Sequence, residues 1–207
     1  MRRPSMAPNA TPALQTGEPA PDFTALDENG RPVTLSSYRG RWVVLFFFPR
    51  ASTSHCQMQA RRFQALYPEF HLAHAAIAGV SVDPRHSQER FRSACQLSFP
   101  LVADADQAVS SAYGVLGEPM PEEDLPVTRR ETFLISPEGH IAYRWEGVVP
   151  NVHADEVLDQ LREMQGMPLL PRQRHREKER QPSSCLRNGC GFTAWCVERS
   201  KRKRAYR

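Results

Sequence analysis

Seven consecutive apolar residues, Trp42-Val43-Val44-Leu45-Phe46-Phe47-Phe48, stop at Pro49, and the chain continues Arg-Ala-Ser-Thr-Ser-His-Cys56 into a helical pattern. A run without polar alternation, bounded by Gly40 and Pro49, reads as a strand buried on both faces and central in its sheet. One cysteine, Cys56, therefore falls where a strand hands over to a helix. The first turn of a helix presents unpaired backbone N–H groups and the positive end of the macrodipole, which stabilise a thiolate and lower a cysteine's pKa. Cys56 is the foremost candidate nucleophile.

The rest of the chain supplies a frame for that strand. Residues 1–16 are rich in Pro, Ala and Ser without periodicity and read as a flexible lead-in. Thr24 to Asp27 and Arg31 to Leu35, joined by Glu28-Asn29-Gly30, predict a small hairpin ahead of the main sheet. After Cys56, the positions Met58, Phe63, Leu66, Tyr67 and Phe70 predict one amphipathic helix. Ala76 to Val82 reads as a strand, and Ser87 as the cap of a helix running to Gln96. Phe99 to Ala103 is a short strand, and Gln107 to Tyr113 a short helix stopped by Gly114. Glu131 to Ile135 and Ile141 to Trp145 form a hairpin through Pro137-Glu138-Gly139, and Val152 to Gln165 is the last helix. The order implies an α/β protein with a thioredoxin-like fold: a mixed central sheet flanked by helices, with an N-terminal hairpin.

At 207 residues the chain suits one domain plus extensions. The domain is expected over residues 17–167 and a basic, disordered tail over 168–207, where Pro168, Pro171 and Pro182 interrupt a polar run. Charge divides the same way. From Pro171 onward there are twelve Lys or Arg against three Glu, about +9, which leaves fifteen basic and twenty acidic residues before it, about −5. The first twenty residues lack the apolar core of a secretion signal, and no apolar run is long enough to span a bilayer. Five cysteines without framework spacing fit a reducing compartment, so the expected location is cytoplasmic.

Pro49-x-x-x-Thr53-x-x-Cys56 after a hydrophobic strand is similar to the active-site signature of the peroxiredoxins, thiol peroxidases on a thioredoxin fold. Gly17-Glu-Pro-Ala-Pro-Asp-Phe, Gly79-Val-Ser-Val-Asp, Phe99-Pro-Leu-Val-Ala-Asp and Arg130-Glu-Thr-Phe-Leu-Ile agree with it. In this order the segments resemble the Q-type, or bacterioferritin-comigratory, subgroup over about Gly17 to Met164. The chemistry asks for the same residue types. In-line attack on an O–O bond needs a deprotonated sulfur, alignment of both oxygens and stabilisation of the departing charge. Cys56 supplies the sulfur, Thr53 a hydroxyl for the peroxide, and Pro49 a shield against water. The resemblance implies an arginine from the opposite strand, at Arg130, whose donor fork would hold thiolate and peroxide oxygen.

The product would be a sulfenic acid, which a second thiol resolves as a disulfide. Many Q-type members carry that thiol five residues after the first, where this chain has Arg61. Cys95, in the following helix, is the next candidate, about one turn further along than the resemblance places it; a tail cysteine, another subunit or an external thiol are the alternatives. The resemblance implies a peroxide substrate, thioredoxin or a similar dithiol as reductant, no metal, flavin or haem, and a monomer or homodimer.

Each residue also has a plainer role. Cys56 and Cys95 can be buried filler, Thr53 a cap, His55 a solvent-facing loop residue, and Arg130 a surface partner of Glu131 or Glu138, with Arg129 adjacent as a rival for its place. Cys185, Cys190 and Cys196 lack the tight Cys-x2-Cys spacing of zinc modules. A disulfide reductase would need Cys-x-x-Cys, and Thr53 stands at the first position. The rival from another class is a non-enzymatic binding protein whose Lys-Arg tail docks to nucleic acid or an acidic partner, although a solvated tail is the preferred reading of that run.

Overall fold

The computed structural model describes residues 14–170 apart from residue 52 and residues 120–125. The expected lead-in up to residue 13 and the tail from residue 171 lie outside the described residues. Strands β1 (Thr24–Leu26) and β2 (Pro32–Thr34) pair antiparallel as the predicted hairpin, with Gly30 at φ +79 in the turn. A 3-10 turn, Leu35–Tyr38, leads into β3 (Trp42–Phe47). Next come α1 (Ser54–Ala65), α2 (Tyr67–Leu72), β4 (Ala75–Ser81), α3 (Arg85–Cys95), β5 (Leu101–Ala103) and α4 (Ala108–Ala112). A two-stranded ribbon, β6 (Leu116–Pro119) and β7 (Pro126–Thr128), precedes the hairpin β8 (Glu131–Ile135) and β9 (Ile141–Glu146), and α5 (His153–Met164) follows.

The central sheet has the order β5-β4-β3-β8-β9. β3 is its middle strand, parallel to β4 and antiparallel to β8, so the sheet is mixed as expected. The unbroken apolar run follows from that position. Val44, Phe46 and Phe48 enter one core with Ala60, Phe63, Phe91 and Leu158, while Val43, Leu45 and Phe47 enter the other with Val33, Val109, Tyr113 and Phe133. Gly79 on β4 lets the sheet close: a Cβ there would lie 2.7 Å from Phe46 and 2.8 Å from Leu101.

Three details differ from the sequence expectation. The helix after Cys56 is two helices, because Pro68 sits in the first turn of α2 and cannot continue the α1 ladder; the chain bends at Leu66 (φ −96, ψ 2). Ser87 does not cap α3, which starts at Arg85 after Pro84 and has no side-chain cap. The β6–β7 ribbon was not expected, since its strands carry prolines and too little alternation to register as strands. Contacts also reach past the expected domain limits: the Leu14 carbonyl accepts from Arg144 at 3.3 Å, and the Pro168 carbonyl from Arg162 at 2.9 Å.

Candidate active site

The carboxyl end of β3 runs into the loop Pro49 to Thr53 and then α1, which places Cys56 in the first turn of that helix. Thr53 is the N-cap: its Oγ1 accepts from the Cys56 backbone N–H at 3.4 Å, the long end of such a contact. The same hydroxyl donates to the Arg50 carbonyl at 3.4 Å, an equally long contact. Cys56 itself is 1 % exposed, among Phe48, Ala51 and Ala60. The loop is bolted down by Asp83, just past β4. Its carboxylate accepts from the Ala51 backbone N–H at 2.8 Å and the Ser81 hydroxyl at 2.7 Å, and it lies 3.6 Å from the Arg50 guanidinium.

Arg130 arrives from the other side of the central strand. β8 runs antiparallel to β3 with Glu131 opposite Phe47, so the residue before Glu131 lies beside the start of the Pro49 loop. Arg130 Nη2 donates to Cys56 Sγ at 3.1 Å, and Nη1 donates to Gln59 Oε1 at 2.6 Å. Gln59 stands one turn after Cys56 on the same face of α1 and is fully buried, so a single helix carries both the sulfur and the group that aims the guanidinium at it. Arg129 takes the opposite direction: it pairs with Glu131 at 2.7 Å and reaches the carbonyls of Gly114 and Leu116. The register between the two arginines is thus decided by the pleat, and the surface role considered for Arg130 belongs to Arg129.

Of the predicted site residues, Pro49, Thr53, Cys56 and Arg130 come together at this loop. His55 faces solvent. Cys95 is buried at the end of α3 in the same apolar cluster as Cys56, and both are free thiols. Sequence reasoning missed Gln59, Asp83 and His153. The last is fully buried at the start of α5, with Nε2 2.8 Å from Thr132 Oγ1 and its ring edge-on to Phe63 and Trp145. Burial, and secondarily the charge of Arg130, lowers its pKa to about 4, so the imidazole stays neutral behind the guanidinium. The helical spacing of Gln59 from Cys56 and the place of Asp83 at the end of the Gly79-Val-Ser-Val-Asp segment were available as signals; His153 comes from another element and had none.

A buried thiol capped by a helix N-terminus and a guanidinium is arranged to hold negative charge on sulfur and to receive a second polar atom between sulfur and arginine. On a mixed thioredoxin-type sheet, this defines a thiol-based redox enzyme. The AhpC/TSA family matches residues 16–144, and the chain belongs to that family. Within it, the chain is 40% identical over 134 residues to peroxiredoxin Bcp of Xanthomonas campestris pv. campestris, covering 64% of this chain and 84% of the relative. It is 34% identical over 150 residues to a putative peroxiredoxin bcp of Helicobacter pylori, covering 72% and 98%. Among solved structures, the Xanthomonas campestris bacterioferritin comigratory protein, studied in trapped intermediate and ligand complexes for its alkyl peroxide reduction activity, matches with a TM-score of 0.67 and 34% identity over 72% of this chain and 99% of that one. The protein is a peroxiredoxin of the Bcp/Q kind, a thiol-dependent peroxidase; the non-enzymatic binding reading is set aside. Among the described residues, no helix is long and apolar enough to cross a membrane.

Proposed function

We propose that Cys56 is the peroxidatic nucleophile and that Arg130, Thr53 and Pro49 complete its site, acting on hydrogen peroxide and organic hydroperoxides. The observation that carries this is the 3.1 Å contact from Arg130 Nη2 to Cys56 Sγ at the capped start of α1. The thiolate attacks one peroxide oxygen, the O–O bond breaks, and the electron pair leaves on the other oxygen, which takes a proton and departs as water or alcohol. Arg130 donates to the developing charge, the Thr53 hydroxyl aligns the oxygens, and Pro49 limits water at the sulfur. Cys56 is left as a sulfenic acid.

Cys95 then resolves it: its thiolate attacks Cys56 Sγ, the S–S bond forms, the S–O bond breaks, and hydroxide leaves as water after taking a proton. Thioredoxin or a similar dithiol reduces the disulfide, in the cytoplasm, with the protein a monomer or homodimer. The domain over residues 17–167 carries the whole reaction, and the basic tail is not needed for it. Peroxide loss is followed with a thioredoxin system in the full chain, Cys56→Ser, Cys95→Ser and a truncation after Met167. The expected result is an inert Cys56→Ser, one stoichiometric burst from Cys95→Ser, and full turnover from the truncation. Sustained turnover in Cys56→Ser overturns the assignment of the nucleophile.

A further inference from the structure

The two thiols sit at opposite ends of helices. Cys56 lies at the amino end of α1, where the macrodipole favours a thiolate, while Cys95 is the last residue of α3, where the negative end of the dipole opposes one. Cys95 is also 5 % exposed, and burial pushes its thiol pKa up. A second thiol placed there needs a cation of its own to react. Arg61 supplies one. It projects from α1, its Nη2 donates at 3.2 Å to the Ala94 carbonyl at the end of α3, next to Cys95, and its positive charge there opposes the effect of burial on the thiol.

The other groups around Cys95 do not compete for that role. Arg92 on α3 is paired with Glu28 and donates to the Leu97 carbonyl at 3.1 Å, and Gln64, a turn further along α1, is neutral and bonded to Ser98. A cleft of about 340 Å³ between α1 and α3 is walled by Gln57 and Ala94, the chain neighbours of the two cysteines. Beyond Cys95 the helix ends on Gln96 at φ +53, in a left-handed cap whose Gln96 and Leu97 N–H groups donate to the Ser93 and Arg92 carbonyls at 3.2 and 3.1 Å.

We propose that Arg61 is the positioning residue of the second half-reaction: held on the end of α3 by the Ala94 carbonyl, its guanidinium supports the Cys95 thiolate that attacks the Cys56 sulfenic acid. This rests on the reading that Cys95 resolves. The position that holds a second cysteine in many chains of this pattern holds here the arginine that readies a cysteine on the facing helix.

The test is alkylation of Cys95 by iodoacetamide across pH in the full chain carrying Cys56→Ser, read on the Cys95 peptide by mass spectrometry so that the tail cysteines do not contribute. Arg61→Gln keeps a donor without charge, and Arg61→Lys keeps the charge. The labelling midpoint is expected to rise by about one pH unit in Arg61→Gln, which is about a tenfold smaller thiolate fraction near neutral pH, and to return in Arg61→Lys. In the chain with Cys56 intact, Arg61→Gln is expected to slow formation of the Cys56–Cys95 disulfide after one equivalent of peroxide by a similar factor, while the sulfenic acid forms at the same rate. An unmoved midpoint overturns the assignment of Arg61. Absence of a Cys56–Cys95 linkage in the unsubstituted protein overturns the reading of Cys95 itself, and it is seen before any Arg61 variant is compared.

Discussion

Two arginines adjacent in the chain have unrelated tasks, because the pleat of an extended segment sends neighbours to opposite sides. Arg130 meets Cys56 and Gln59, whereas Arg129 braces Glu131 and the carbonyls of Gly114 and Leu116. Gln59 matters as an acceptor that holds the guanidinium without neutralising it. A carboxylate would compete with the sulfur for that charge; an amide oxygen does not. Replacing Gln59 by Leu removes the 2.6 Å bond and leaves the Arg130 guanidinium, among the described residues, with the sulfur as its hydrogen-bond partner. Single-turnover peroxide consumption is expected to fall about tenfold to a hundredfold, the equivalent of about 1.5–3 kcal/mol for a hydrogen bond to a charged group. Stopped-flow measurement checks it, and Arg129→Ala in the same assay should change the rate by less than about threefold, since it touches no reacting atom.

At the scale of elements, the site depends on how closely β3, β4 and the loop after them fit. Gly79 on β4 allows the ring of Phe46 to reach Phe63, with centroids 4.8 Å apart. Gly79→Ala would drive a methyl group into Phe46 and Leu101, and overpacking of this kind is expected to cost about 1–3 kcal/mol, read as a lower urea midpoint at unchanged slope. Asp83 joins the end of β4 to the active-site loop through the Ala51 N–H. Asp83→Ala leaves that buried donor unpaired, so about 1–3 kcal/mol of stability should go with it. Because the loop carries Thr53 and leads to Cys56, the peroxide rate should fall as well, which separates Asp83→Ala from Gly79→Ala at matched stability.

Acid sensitivity belongs to the molecule as a whole. His153 lies where α5, β8 and α1 meet, and its pKa in the folded protein is about 4 against 6.5 for an ordinary histidine. Above 6.5 the ring is neutral whether the chain is folded or not, and contributes nothing to the pH dependence. As pH falls from 6.5 toward 4 the unfolded chain takes up a proton that the folded protein refuses, so stability drops. Below about 4 both forms are protonated and the loss levels off at about 3 kcal/mol. Urea melts at pH 7 and pH 4.5 should show that slope, and His153→Gln, which keeps a partner for Thr132, should lack it. Equal pH dependence in the two proteins would falsify the assignment to His153.

Local chemistry makes much of this protein legible in its sequence. The apolar run from Trp42 to Phe48 required cover on both faces, and that alone made it the central strand; Pro49 and the helical pattern beyond it put Cys56 at a helix start. Those are properties of consecutive residues. Contacts across the sheet were decided by the tertiary structure: which of Arg129 and Arg130 faces the sulfur, that Asp83 holds the loop, that His153 backs the site, and that Arg61 lies over the end of α3. The β6–β7 ribbon and the break at Leu66 also belong there. Periodicity reports which face of an element is buried, but a partner from another element is chosen by strand register and helix packing, and neither is written in the spacing of neighbouring residues.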